Sequence, residues 1–247
     1  MPMREEFDYR LGPRATTAWD LLLYLMVGLG LFAAASLLVV SWFGDRPLLL
    51  TTGALLANFL ALSATFYLLG IRRHKVTWAQ LGLRPLRWQW RWVWWAIGLA
   101  LIFIPLRGAL GLLVELLLSG NLDSLEARSD LLLGGGVSLP AFLITLVGAG
   151  LLVPVAEELF FRGLLHNWFR QRLSLWPAAL CSGALFGLAH FDSVGVVVAS
   201  FIMGVVCAIA YEQTRSILLP IGIHAVTNST AVILLYAALV MADFIPL

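Results

Sequence analysis

An all-α polytopic membrane protein, a bundle of about seven transmembrane helices with six and eight as the bounds, is the fold this sequence predicts. Three observations carry that expectation. Charged residues make up 12% of the chain and hydrophobic ones 61%, where an ordinary soluble domain carries about 25% charged residues. The mean hydropathy is +0.91. The charges cluster between apolar runs that are continuous rather than alternating, which favours helical spans over barrel strands. A soluble helical protein is a poor alternative, because too little polar surface exists to cover it.

The apolar runs are seven: 19–43, 48–71, 92–118, 139–168, 176–191, 194–211 and 217–240. A span needs about 20 residues, so 176–191 and 194–211 are credible only as packed members of a bundle. Pro105 lies inside the third run, where it can kink a helix. The first 18 residues are polar and the run that follows is long enough to span, so no cleavable leader is expected. Cys181 and Cys207 lie in apolar runs, which argues against a disulfide framework.

Lysine and arginine set the expected orientation. With the N-terminus in the cytosol, Arg4, Arg10, Arg14, Arg72, Arg73, Lys75, Arg84, Arg87, Arg91, Arg170, Arg172 and Arg215 fall on the cytosolic side, and Arg46 and Arg128 outside. Arg107 and Arg162 fall within spans. The stretch RWQWRWVWW (87–95) reads as an interfacial aromatic belt entering the third span. Residues 121–136 read as an external amphipathic piece ending in a glycine linker. No internal repeat and no separate soluble domain is visible.

The polar residues inside the apolar runs are the informative ones. An ionised side chain near the bilayer centre costs at least ~2.5–3.5 kcal/mol, so Glu157, Glu158 and Arg162 need a reason. Glu158 and Arg162, at i and i+4, can pair on one helix face. Glu157 points about 100° away, and that pair does not account for it. His190 ends the fifth run, and His224 and Asn228 share one face of the seventh. If the fourth and fifth runs form a hairpin turning near Ser174, before Pro177, then Glu157 and His190 both lie roughly 25 Å from the turn, at matching height. His224 lies roughly 14 Å above the inner surface, counted from Arg215, and reaches the same level if the hairpin projects some way into the cytosol.

Such a set has a chemistry. A carboxylate beside a neutral imidazole can take a proton from water and deliver it to a leaving group, while a second histidine and an asparagine donate to a developing oxyanion. That is peptide hydrolysis without a Ser or Cys nucleophile; Ser182, Ser200 and Ser229 sit in no nucleophile-elbow pattern. The rival use is a zinc site with Glu157, His190 and His224 as ligands. The H-E-x-x-H spacing is absent, the two histidines come from different helices, and asparagine is an uncommon ligand. His74 reads as solvated and His166 as lying near the wet end of its helix. Asp192 and Asp243 read as span boundaries, and Glu212 as an exposed loop carboxylate.

Glu-Glu-x-x-x-Arg (157, 158, 162), Phe-x-x-x-His (186, 190) and His-x-x-x-Asn (224, 228), in that order, resemble the motif set of the CPBP family, which groups CAAX prenyl endopeptidases with bacterial Abi-type proteins linked to bacteriocin processing or immunity. The match covers about 139–235; residues 1–138 resemble the family only in hydropathy and in the LGLRP stretch before a span. The resemblance implies two parts: N-terminal transmembrane helices with a basic cytosolic loop over 1–138, and a catalytic transmembrane core over 139–240. It implies a glutamate-type intramembrane endopeptidase in which Glu157 and His190 activate water and His224 and Asn228 form the oxyanion hole. Glu158 and Arg162 would hold the first acid in place, with Phe186 packed beside the site.

On this reading no cofactor is expected, with zinc as the alternative, since family members have been called metalloproteases. The expected partners are a peptide or membrane-protein substrate and the lipid bilayer, and no nucleic acid. The expected location is a bacterial inner membrane. Two other functions are open: a non-catalytic immunity or scaffold protein on the same fold, and a transporter. No inverted repeat supports the last.

Overall fold

The computed structural model describes residues 16–83, 90–134 and 136–244. Eight helices and no strand occur among them: α1 Ala18–Phe43, α2 Pro47–Ile71, α3 Trp90–Ser119, α4 Asp123–Leu133, α5 Leu139–Arg170, α6 Leu175–Leu188, α7 Val194–Thr214 and α8 Leu218–Phe244. All seven apolar runs are helices, and the amphipathic piece supplies α4.

Five of the helices (α1, α2, α5, α7 and the stretch Leu218–Met241 of α8) are long and apolar enough among the described residues to cross a membrane. Of the two runs expected to be marginal, α7 reaches 21 residues and clears the length of a span, whereas α6 stops at 14. The reason lies at its end. The chain turns at Ala189, and Ser193 starts α7 by accepting the amide of Val196, so His190 sits in the turn rather than within a helix.

Polar caps and turn chemistry fix the other boundaries. Thr17 and Asp20 form a capping box at the start of α1. Ser138 caps α5, with Pro140 in its first turn. Gly134 ends α4 in the left-handed conformation. Residues 87–89 of the aromatic stretch 87–95 lie outside the described residues and the rest opens α3; the one of its side chains that is described, Trp94, is exposed.

α5 lies at the centre and packs against α1, α2, α4, α6, α7 and α8. One apolar core surrounds its middle, with Phe160, Phe161, Leu164 and Leu165 meeting Phe66, Phe186 and Met203. Outward faces are apolar too, with Leu37, Leu60, Leu117 and Leu188 all more than half exposed, as lipid-facing helices require. The segment after α2 folds back under the bundle. The Leu81 carbonyl accepts the amide of Ile217 at 3.0 Å, and that of Gly82 accepts the Ser216 hydroxyl at 2.9 Å. Leu81 and Gly82 therefore dock on the α7–α8 turn.

Candidate active site

Helix α5 is not a regular α-helix. Wide turns with i→i+5 bonding occupy Gly148–Leu152 and Leu159–His166, on either side of Val153–Glu158. The first has a local cause. The Val153 amide bonds back to the Gly148 carbonyl, and Pro154 has no amide to offer. The Ala149 carbonyl thus loses its helical donor. Asn228 on α8 supplies one from Nδ2 at 3.2 Å, and Ser229 donates to the Gly150 carbonyl at 3.3 Å. A helix interrupted in this way survives in a bilayer because neighbouring side chains satisfy the freed backbone. The interruption locks α5 to α8 about two turns before the two acids.

Glu157 and Glu158 then diverge, as adjacent helical residues must. Glu158, fully buried, faces Arg162: Oε2 lies 3.0 Å from the guanidinium Nε, with both side chains at zero exposure. The Arg162 Nη2 donates to the Gly204 carbonyl at 2.9 Å, and the guanidinium carbon sits 4.7 Å above the Phe186 ring. The other Glu158 oxygen, Oε1, lies 2.9 Å from Nδ1 of His224. Glu158 therefore ties α5 to α8 while Arg162 ties α5 to α7.

Glu157 points into the cavity. His190 Nε2 lies 4.0 Å from its Oε1 and His224 Nε2 lies 3.6 Å from its Oε2. The ring nitrogens on the far side are committed. His190 Nδ1 faces the Phe186 carbonyl at 2.8 Å, and since a carbonyl only accepts, Nδ1 carries the hydrogen and Nε2 is left as an acceptor when the ring is neutral. Phe186 stacks near both imidazoles, with ring centroids 4.8 Å from His190 and 5.5 Å from His224. The expected matching heights of Glu157 and His190 and the hairpin with Ser174 preceding α6 are both present.

The cavity holds about 320 Å³ and is lined by Glu157, His190 and Asn228 together with Asn58, Arg128 and Asp192 and an apolar remainder that includes Phe161 and Leu132. A second, more apolar cavity of about 550 Å³ between α3, α4, α7 and α8 shares Arg128, Leu132, Ala149 and Asn228 with it. The two spaces meet beside the Asn228–Ala149 bond.

All four residues expected to do chemistry therefore come together: Glu157, His190 and Asn228 on the cavity wall, and His224 behind Glu157. Glu158, Arg162 and Phe186 form the layer behind them. As for a metal, a carboxylate and two imidazole nitrogens are a zinc-type donor set, with Glu158 and the Phe186 carbonyl orienting the two rings from behind. Among the described residues, however, no group of three His, Cys, Asp or Glu side chains is spaced as a ready metal site.

Several expectations for other residues need correction. His166 is fully buried, with Nε2 3.0 Å from Glu212. Glu212 is buried rather than a loop carboxylate in solvent, because it also takes ion pairs from Arg170 at 2.7 Å and Arg215 at 2.8 Å. Asp192 is more than a boundary marker: it pairs with Arg128 on α4 and lines the cavity next to His190.

Two polar residues went unremarked in the sequence. Asn58 on α2 donates from Nδ2 to Glu157 Oε1 at 3.4 Å. Glu115 on α3 accepts bonds from the Gly195 amide and the Ser193 hydroxyl, each at 2.7 Å, and from the Ser124 hydroxyl, and so holds the start of α7 and the turn that carries His190. The signal for both was the one that picked out Glu157, a polar side chain inside an apolar run.

Residues 139–230 match the family model "Type II CAAX prenyl endopeptidase Rce1-like". An Escherichia coli protein named only by its mass, "Uncharacterized 24.3 kDa protein", is 32% identical over 91 residues, 35% of this chain and 42% of that protein. A Bacillus subtilis (strain 168) protein named "Putative membrane peptidase YdiL" is 26% identical over 96 residues, 39% of each chain. The matched segment thus spans about four-tenths of the length of these relatives. No solved structure matches the chain. All three motifs lie inside the segment that is similar to this family model, and their residues gather at one cavity.

Proposed function

We propose that the chain is an intramembrane endopeptidase that hydrolyses a peptide bond with water activated by Glu157. One observation carries the reading: the Glu157 carboxylate faces the Nε2 atoms of His190 and His224 at 4.0 and 3.6 Å on the wall of a cavity, with a second carboxylate and an arginine locked behind. The family match supports a CAAX-type membrane protease in general.

Water between Glu157 and His190 gives one proton to Glu157 and is oriented by the lone pair of His190 Nε2. Its oxygen adds to the substrate carbonyl carbon, and the carbonyl electrons move onto oxygen. Asn228 has a second Nδ2 hydrogen beyond the one given to Ala149. His224 can donate from Nε2 only while Nδ1 also bears a hydrogen toward Glu158, so the reading calls for His224 as imidazolium between two carboxylates. These two donors stabilise the oxyanion. The tetrahedral intermediate collapses, the C–N bond breaks, and Glu157 returns its proton to the amine.

The rival chemistry uses the same atoms. Glu157, His190 and His224 would hold a zinc ion, which would supply an activated water. The substrate is proposed as a peptide or membrane-protein segment. The chain is placed in a bacterial membrane with its N-terminus in the cytosol, a reading supported by the bacterial relatives and by the lysine and arginine distribution. The test is a mixed membrane-peptide library incubated with the purified protein. New termini identified by mass spectrometry are expected. A native, folded protein that generates none, with no flux in proteoliposomes, would instead favour the scaffold reading.

A further inference from the structure

We infer that Asn58, on α2 and outside the matched family segment, is a positioning residue for the reaction proposed above, holding the Glu157 carboxylate in place for the attacking water. The inference rests on that endopeptidase reading.

Three observations carry it. Asn58 Nδ2 donates to Glu157 Oε1 at 3.4 Å, the same oxygen that His190 faces at 4.0 Å. The Asn58 carbonyl oxygen is buried and has no hydrogen-bond partner in the protein. The residue also lines the cavity with Glu157, His190 and Asn228. A carboxamide in an apolar span is expensive unless both its ends are used, and here one end is used by the proposed base and the other is left over. α2 is otherwise built to bury small and apolar side chains on α5, as with Ala57 and Ala61.

The geometry gives Asn58 a distinct task. Without it the Glu157 side chain is restrained only by the two imidazoles, which both have work in the reaction. The amide holds the Glu157 oxygen that His190 faces, so that this oxygen is presented to water lying toward His190. This contribution acts on the chemical step and not on substrate affinity.

The test uses a peptide that the native protein cleaves, with Glu157→Gln as the blank, and compares Asn58→Leu and Asn58→Gln for kcat, KM and melting temperature. Asn58→Leu is expected to lower kcat roughly 10- to 100-fold, the scale of a slightly misplaced catalytic group, with KM within about twofold and the melting temperature unchanged or raised. Asn58→Gln, which keeps both polar ends, is expected to recover part of the loss. An unchanged kcat in Asn58→Leu overturns the inference, as does a loss of kcat that follows a fall in melting temperature in both variants. If the native protein turns over nothing, the endopeptidase reading fails and takes this inference with it; if it turns over normally and Asn58→Leu matches it, only the inference fails.

Discussion

Glu158 holds His224. The imidazole Nδ1 lies 2.9 Å from a Glu158 carboxylate oxygen, and this contact turns Nε2 toward Glu157, 3.6 Å away. The second of the two adjacent acids is therefore the orienting group for a ring on another helix, while the first faces the cavity. Glu158→Gln retains a carbonyl to accept from Nδ1 but removes the charge that supports an imidazolium. Turnover should fall by one to two orders of magnitude, in line with the cost of altering a group that orients an active-site ligand. Steady-state kinetics would show the loss in kcat; an unaltered kcat would separate Glu158 from the reaction.

Arg162 should matter more for stability than for chemistry. Its guanidinium is at zero exposure, paired with Glu158 and bonded to the Gly204 carbonyl. Arg162→Met leaves Glu158 buried with only His224, and removing one partner of a buried pair costs about 3–5 kcal/mol. Arg162→Lys should not restore the loss, since an ammonium cannot serve Glu158 and Gly204 with the same planar fork. Thermal unfolding in detergent checks both variants.

Asn228 has two duties and its replacement should show both. Asn228→Leu leaves the Ala149 carbonyl without its donor, which costs about 1–3 kcal/mol, and removes a proposed oxyanion donor, worth roughly 10²–10³ in kcat. The melting temperature should drop modestly while turnover nearly disappears. A variant that loses only stability would confine Asn228 to patching α5.

The Arg128–Asp192 pair predicts the opposite balance. Its side chains are 34% and 42% exposed, and ion pairs of that kind contribute about 0–1 kcal/mol. Yet Asp192 is two residues from His190. Asp192→Asn should leave the melting temperature within a few degrees while lowering the hydrolysis rate, and the swapped double variant, Arg128→Asp with Asp192→Arg, should recover part of the rate.

Gly82 offers a purely structural check on how the chain after α2 docks through Leu81 and Gly82. Its φ is +67°, and an added Cβ would lie 1.9 Å from the Arg215 carbonyl oxygen. Gly82→Ala should therefore destabilise the bundle, by lifting the loop off the α7–α8 turn, with no direct effect on the site. A neutral outcome in thermal unfolding would contradict that docking.

The helices were legible because lipid demands long apolar runs; each of the seven runs corresponds to a helix to within a few residues. The site was legible for a related reason. A charge or carboxamide inside such a run is costly, so Glu157, Glu158, Arg162, His190, His224 and Asn228 stood out, and the hairpin arithmetic brought Glu157 to the level of His190. Other features depend on contacts between segments far apart in the chain. Nothing local marks Asn58 as a neighbour of Glu157, 99 residues away. The same holds for Glu115, whose three partners come from α4 and the α7 start. Glu212 and His166 looked solvent-exposed because each sits near a basic end of a helix, and only packing of α5 on α7 encloses them. The first wide turn of α5 follows partly from Pro154, but its register needed the donor on α8.

The central claim is that Glu157 activates water. The most direct measurement is the single-turnover cleavage rate of one identified peptide by native protein and by Glu157→Gln, each with and without a chelator, with folding of both verified by melting temperature. The account predicts cleavage by the native protein that survives the chelator and is lost in Glu157→Gln at an unchanged fold. Cleavage by Glu157→Gln at the native rate would contradict it, and loss of native activity on chelation would assign Glu157, His190 and His224 to a metal instead.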